Sequence, residues 1–212
     1  MTDWATVDLS TSPPTVDVPR QYNATADFID RHIAEDRASR IAVIDDKGAY
    51  SYGELAERVN RTGNALAGAG ITMEDRVAFC LTDTIDFPSV FFGAMKIGAV
   101  AIPLNTLLTT HDYDYMLRDS RAHTLVVSES LYETFAPILD GQPHLKQVIV
   151  AGSSDVRPRL SDLVEAASAE LACAPTTADD VGFWLYTSGS TGNPKGSMHL
   201  HSDLVHTVAL YG

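Results

Sequence analysis

A chain of 212 residues, 45% hydrophobic and 20% charged, carries enough apolar material for one substantial core or two small ones. Lys and Arg number 15 against 28 Asp and Glu, a formal charge of -13, and no Lys/Arg cluster offers the footprint that a phosphate backbone needs, so nucleic acid is not expected as a partner. No run approaches the roughly 18 uncharged apolar residues of a membrane span, and the N-terminus lacks the basic-then-apolar order of a secretory leader; no membrane partner and a cytoplasmic location are therefore expected.

Residues 1–20 hold Pro13, Pro14, Asp17 and Pro19 among Ser and Thr without a sustained period, and predict an extended N-terminal arm. From residue 21 the pattern changes. Asn23 is placed to cap a helix with Phe28, Ile29, His32 and Ile33 on one face, and Ile41 to Ile44 reads as a short buried strand. Asp45-Asp46-Lys47-Gly48 predicts a hairpin turn. Ser51 and Glu54 have capping-box spacing ahead of a helix that buries Leu55, Val59 and Leu66 and ends at Gly70.

The alternation then continues. Strands are predicted at 76–81, 99–102, 124–127, 147–150 and 182–186, and helices at 87–97, 110–119, up to Leu139, and at 160–168. Short continuous apolar strands separated by amphipathic helices imply an α/β fold with a mostly parallel sheet covered on both faces. Lys96, in an apolar helix, is expected to snorkel to water. Asp83 and Asp86 are expected to cap the helix that follows them. Cys80 and Cys173 stand alone, without CxxC spacing, and are expected to be inert thiols.

The segment that carries chemistry runs from Phe183 to Gly196. An apolar strand leads directly into Thr187, Ser188, Gly189, Ser190, Thr191 and Gly192, four hydroxyls and two glycines, followed by Pro194 and Lys195. Glycines let a backbone pass close to phosphate oxygens, hydroxyls donate further hydrogen bonds and the lysine adds a mobile cation. Neither better-known phosphate loop fits. A Walker loop would need Gly where Pro194 stands, and a GxGxxG fingerprint would need Gly in place of Thr191. His199, His201 and His206 could be mistaken for a metal site, but no neighbouring carboxylate or cysteine completes one, and no metal ligand is assigned.

Tyr186-Thr-Ser-Gly-Ser-Thr-Gly-Asn-Pro-Lys-Gly196 resembles the signature of the AMP-binding, adenylate-forming superfamily. Tyr50-Ser-Tyr-Gly-Glu-Leu55 and Gly93 to Asn105 resemble two further blocks of that family, in order. Tyr22 to His32, Asp83 to Pro88, Asn105 to Leu108 and Phe183 to Tyr186 are most similar to its benzoate–CoA ligase branch.

The resemblance implies that residues 21–212 are a partial N-terminal AMP-binding domain. It further implies an acid–thiol ligase that joins an aromatic, benzoate-like carboxylic acid to ATP as an acyl-adenylate and transfers it to coenzyme A. Thr187 to Gly192 and Lys195 would grip the β- and γ-phosphates, and His201 would lie near the acyl pocket. Mg²⁺ is implied with ATP, its main ligand lying outside these residues. Asp203 and Ser197 depart from the family's usual Asn and Val. No complete catalytic set is expected within the chain, so the isolated piece is expected to be inactive. A homodimer is left open for the full-length form. Two alternatives stand beside this reading: an adenylation enzyme that loads a carrier-protein thiol, and a short non-catalytic nucleotide-binding protein.

Overall fold

The computed structural model of the protein describes residues 4–187 and 192–211. Its centre is a six-stranded sheet made of β5 (Arg76–Cys80), β6 (Val100–Pro103), β7 (Thr124–Ser128), β8 (Gln147–Ala151), β9 (Val181–Thr187) and β10 (Lys195–Leu200). The strand order is β10-β9-β6-β5-β7-β8; five strands are parallel and only β10, on the edge, runs antiparallel.

Period-two alternation divides the inner strands between two cores. Val77, Phe79, Val126 and Ile149 face one side, under α2 (Tyr52–Gly68), α3 (Asp86–Lys96) and α6 (Leu160–Ala166). Ala78, Cys80, Leu125, Val127, Val148 and Val150 face the other, under α4 (Thr110–Ser120) and α5 (Glu129–Leu139). The α/β class with helices on both faces is thus what the alternation of apolar runs implied.

Local signals set the helix starts. α2 opens on a complete Ser51/Glu54 capping box, buries Leu55, Val59 and Leu66, and stops at Ala69, with Gly70 at φ 90° just beyond. α4 opens on a second box formed by Thr109 and Asp112. The Asp45 to Gly48 turn also forms, with Asp45 Oδ1 accepting from the N–H groups of Lys47 and Gly48.

Within the N-terminal arm, residues 6–8 (β1, Thr6–Asp8) pair antiparallel with β2 (Thr15–Asp17), and Ala5, Val16 and Val18 pack on the main core. Several expectations are corrected. The strand at Ile41–Asp45 (β3) forms, but in a separate two-stranded sheet with β4 (Gly48–Ser51), which leaves Ile41 and Ile44 exposed. Before α1 (Arg31–Ala34) the backbone makes a π-helical turn, Ala26–Asp30. Its wider spacing rotates the apolar face, so Ile29 is buried while Ile33 is exposed.

Asp83 and Asp86 do not cap α3. The Asp86 N–H instead meets Thr84 Oγ1, the Ile85 N–H meets Asp45 Oδ2, and the Asp86 carboxylate pairs with Arg58.

Lys96 does not snorkel. It is 2% exposed, and its ammonium donates to both oxygens of Asp30 at 2.7 and 2.8 Å. The connector after α6 packs at this end of α3, with the Ala174 N–H on the Lys96 carbonyl, and the buried ammonium is compensated by the partly exposed carboxylate of Asp30. No helix among the described residues is long and apolar enough to cross a membrane.

Candidate functional site

In an open parallel sheet, loops at the carboxyl ends of the strands are where ligands are met. The hydroxyl-rich segment leaves the carboxyl end of β9, beside β6, where Ala101 stands opposite Phe183. Ser188, Gly189, Ser190 and Thr191 lie outside the described residues. What is described are the two feet of the loop. Thr187 and Lys195 form the last rung of the β9–β10 hairpin, with Thr187 Oγ1 donating to the Lys195 carbonyl at 3.5 Å. Both residues are exposed, and Gly192 and Asn193, between them, are exposed as well. A cation and a hydroxyl thus stand together at the mouth of the loop, both open to solvent and chemically able to meet an anion.

One rung further in, Gly196 faces Tyr186. A methyl group on Gly196 would sit 3.1 Å from the Trp184 ring and 3.4 Å from the Tyr186 ring, so the aromatic pair leaves this strand no room for a side chain without moving. Each ring is itself anchored to the body of the sheet. The Arg76 guanidinium lies over Trp184, 5.1 Å from the ring centroid. The Tyr186 hydroxyl donates to Asp119 Oδ2 at 2.7 Å, with the Met116 carbonyl 3.3 Å away, both on α4. Sequence reading placed Tyr186 and Trp184 in a strand and in the family resemblance but gave neither an anchoring role, because their partners lie 67 positions away or more.

The structure does not bring His201 to the loop. Lys195 starts β10 and His201 follows its end, so the two stand about 20 Å apart at the strand rise of roughly 3.3 Å per residue. His201 is 1% exposed. Its Nδ1 accepts the Ala24 N–H at 3.2 Å, its own N–H donates to the Asp180 carbonyl, and its Nε2 is buried without a partner among the described residues. Burial lowers its pKa to about 4, with Asp180 acting weakly against that shift, so the imidazole is neutral at pH 7.

His199 has different company. It stacks on Phe183, with centroids 4.7 Å apart and rings 7° from coplanar, and meets Asp203 at 3.4 Å. Asp203, at the start of α7 (Asp203–Tyr211), also accepts the Leu200 N–H. Among the described residues no group of three or more His, Cys, Asp or Glu could hold a metal ion.

The cysteines offer no nucleophile. Burial pushes the Cys80 thiol up to about 11 and the Cys173 thiol up to about 12, far from the thiolate form at neutral pH.

A mostly parallel α/β domain with a hydroxyl-rich loop and a lysine at the carboxyl edge of its sheet is the architecture of a nucleotide-binding enzyme domain. The chain belongs to the AMP-binding enzyme family, whose model matches residues 30–212. It is 49% identical over 205 residues to the benzoate–CoA ligase of Thauera aromatica, covering 96% of this chain and 39% of that protein. It is 42% identical over 184 residues to the 4-hydroxybenzoate–CoA/benzoate–CoA ligase of Rhodopseudomonas palustris, covering 86% of this chain and 34% of that protein.

Among solved structures, an anthranilate–CoA ligase in complex with anthranoyl-AMP superposes with a TM-score of 0.88 at 30% identity, over 92% of this chain and 38% of that one. A benzoate–CoA ligase from Burkholderia xenovorans gives 0.79 at 38% identity, over 90% of this chain and 37% of that one. The chain therefore spans less than two fifths of the length of these relatives.

Proposed function

We propose that the protein containing this chain is an AMP-forming acid–thiol ligase for an aromatic carboxylic acid of the benzoate class, and that these residues supply its phosphate-gripping loop. The observation that carries the proposal is the pairing of Thr187 with Lys195 at the mouth of a hydroxyl- and glycine-rich loop on the carboxyl edge of the sheet. The 49% identity to a benzoate–CoA ligase supports the choice of acid.

Attack of a carboxylate on the α-phosphorus of ATP brings two anions together and leaves charge on the departing pyrophosphate. In this reading the N–H and hydroxyl groups of Thr187, Ser188, Gly189, Ser190, Thr191 and Gly192 hold the β- and γ-phosphates, and Lys195 neutralises charge as pyrophosphate leaves. The second half-reaction passes the acyl group to the thiol of coenzyme A. Coenzyme A is preferred to a carrier-protein thiol because the relatives named above are CoA ligases. His201 is proposed to lie in the vicinity of the acid pocket, as a neutral buried imidazole that ties the Ala24 backbone to the end of β10. Mg²⁺, which accompanies ATP in this reading, would take its main ligand from outside these residues, since the described ones offer no metal-binding set of side chains.

The test is benzoate-dependent exchange of labelled pyrophosphate into ATP by the longest natural chain that contains these residues. Exchange that depends on an aromatic acid and is weakened by Lys195→Ala supports the proposal. Exchange driven by aliphatic acids alone would remove the aromatic assignment, and exchange indifferent to Lys195 would remove the loop assignment.

A further inference from the structure

Past its one registered pair with β6, Ala101 opposite Phe183, β9 continues for four residues to Thr187. β6 ends at Pro103, which has no N–H to extend the ladder. Residues 184–187 are therefore paired in register on one side only, with β10, itself the edge of the sheet. Main-chain pairing alone leaves the end of the hairpin that bears the loop poorly fixed, and side-chain anchors must set its position.

Tyr186 is placed to be such an anchor. It directly precedes Thr187, its ring lies against Gly196, which directly follows Lys195, and its hydroxyl reaches α4. One side chain thus touches both strands that carry the feet of the loop and ties them to a third element.

The other partner is unexplained by its own helix. Asp119 lies in the last turn of α4, where the helix dipole disfavours an anion. Among the described residues it makes no ion pair. What it does make is a 2.7 Å hydrogen bond from the Tyr186 phenol, short and charge-assisted. Burial, and next to it Asp119, push the phenol's pKa well above its ordinary value, so it remains a donor at any working pH.

We infer that Tyr186 and Asp119 form a positioning pair that holds the Thr187–Lys195 mouth of the phosphate loop in register with the rest of the sheet. The inference rests on the ATP-binding reading of that loop proposed above. Neither residue touches substrate in this role; the effect arises because small misplacements of a group that grips phosphate cost binding and rate.

The experiment uses pyrophosphate exchange by the longest natural chain, with apparent KM values measured separately for ATP and for the aromatic acid. Tyr186→Phe is expected to raise the KM for ATP by about five- to tenfold and to leave that for the acid within about twofold, an asymmetry that loss of folded protein does not produce. Asp119→Ala, at an exposed position, is expected to match it, and the double variant to be no worse than either single change. Asp119→Asn retains an acceptor oxygen and should recover most of the loss. Additive single effects, an equal rise in both KM values, or an unchanged KM for ATP would overturn the pair. Lys195→Ala run alongside separates the two claims: if it weakens ATP use while Tyr186→Phe does not, the loop reading stands and the tether falls.

Discussion

The two ends of the β9–β10 hairpin are built on opposite terms. At the loop end, Thr187 and Lys195 are open to solvent and are held from behind by two aromatic rings whose anchors lie on β5 and α4. At the other end, His201 is 1% exposed, and it joins the hairpin to Ala24 and Asp180 by hydrogen bonds at 3.2 and 3.0 Å. The difference teaches where this domain places rigidity. The Lys195 charge is left in water, backed by half-buried rings and an exposed carboxylate, whereas the far end of the hairpin is fixed by a fully buried imidazole.

The largest effect expected from breaking this contrast is at Lys195. Lys195→Ala should cut the rate of acid-dependent pyrophosphate exchange about 100-fold, in line with the loss of one charge-stabilising group, while leaving the denaturation midpoint unchanged. Disruption at the buried side should show the reverse pattern. Asp30→Ala strands the Lys96 ammonium in a site that is 2% exposed and should cost about 2–3 kcal/mol of stability, measured by chemical denaturation. That is less than for a fully enclosed pair, because Asp30 is one third open to solvent. Adding Lys96→Met to Asp30→Ala should recover much of the loss, since an apolar side chain leaves no charge uncompensated.

His201 sharpens the comparison through pH. Its folded pKa of about 4 lies below the unfolded value near 6.5, so the fold favours the neutral form. The unfolded state then binds more protons between those two values, and this contribution is fully present above pH 6.5 and is lost as pH falls towards 4. At pH 5 the loss should be on the order of 2 kcal/mol. It should be missing from a His201→Gln variant when the two proteins' thermal denaturation is compared at pH 7 and pH 5. The smallest effect is expected at Gly196. Gly196→Ala pushes a methyl group to 3.1 Å from the Trp184 ring, which must yield by a few tenths of an ångström. A rise in the KM for ATP of about threefold, with little change in stability, would be the signature of a displaced loop.

Much of the design is legible along the chain because it is local. The Ser51/Glu54 box, the Asp45 to Gly48 turn and the five parallel strands all follow from spacing or from continuous apolar runs, which need only their neighbours to be understood. The loop proposed to grip phosphate is local in the same sense: its chemistry is packed into Thr187 to Lys195. The reading failed where a residue's fate depends on what lands beside it. Ile41 and Ile44 have the pattern of a core strand, yet among the described residues nothing covers their side of the β3–β4 hairpin. Lys96 has the pattern of a snorkelling lysine, yet Asp30 and the connector carrying Ala174 close around it.

The sequence by itself thus determined the fold class, the alternation of the central strands and helices, and the resemblance to aromatic acid–CoA ligases, because periodicity, capping and short motifs act over a few residues. Only the tertiary structure decided that Tyr186 meets Asp119, that Arg76 covers Trp184 and that His201 is sealed beneath Ala24. Those contacts join residues from 67 to 177 positions apart or rest on strands brought together by the sheet, and a sum of local preferences carries no information about such meetings.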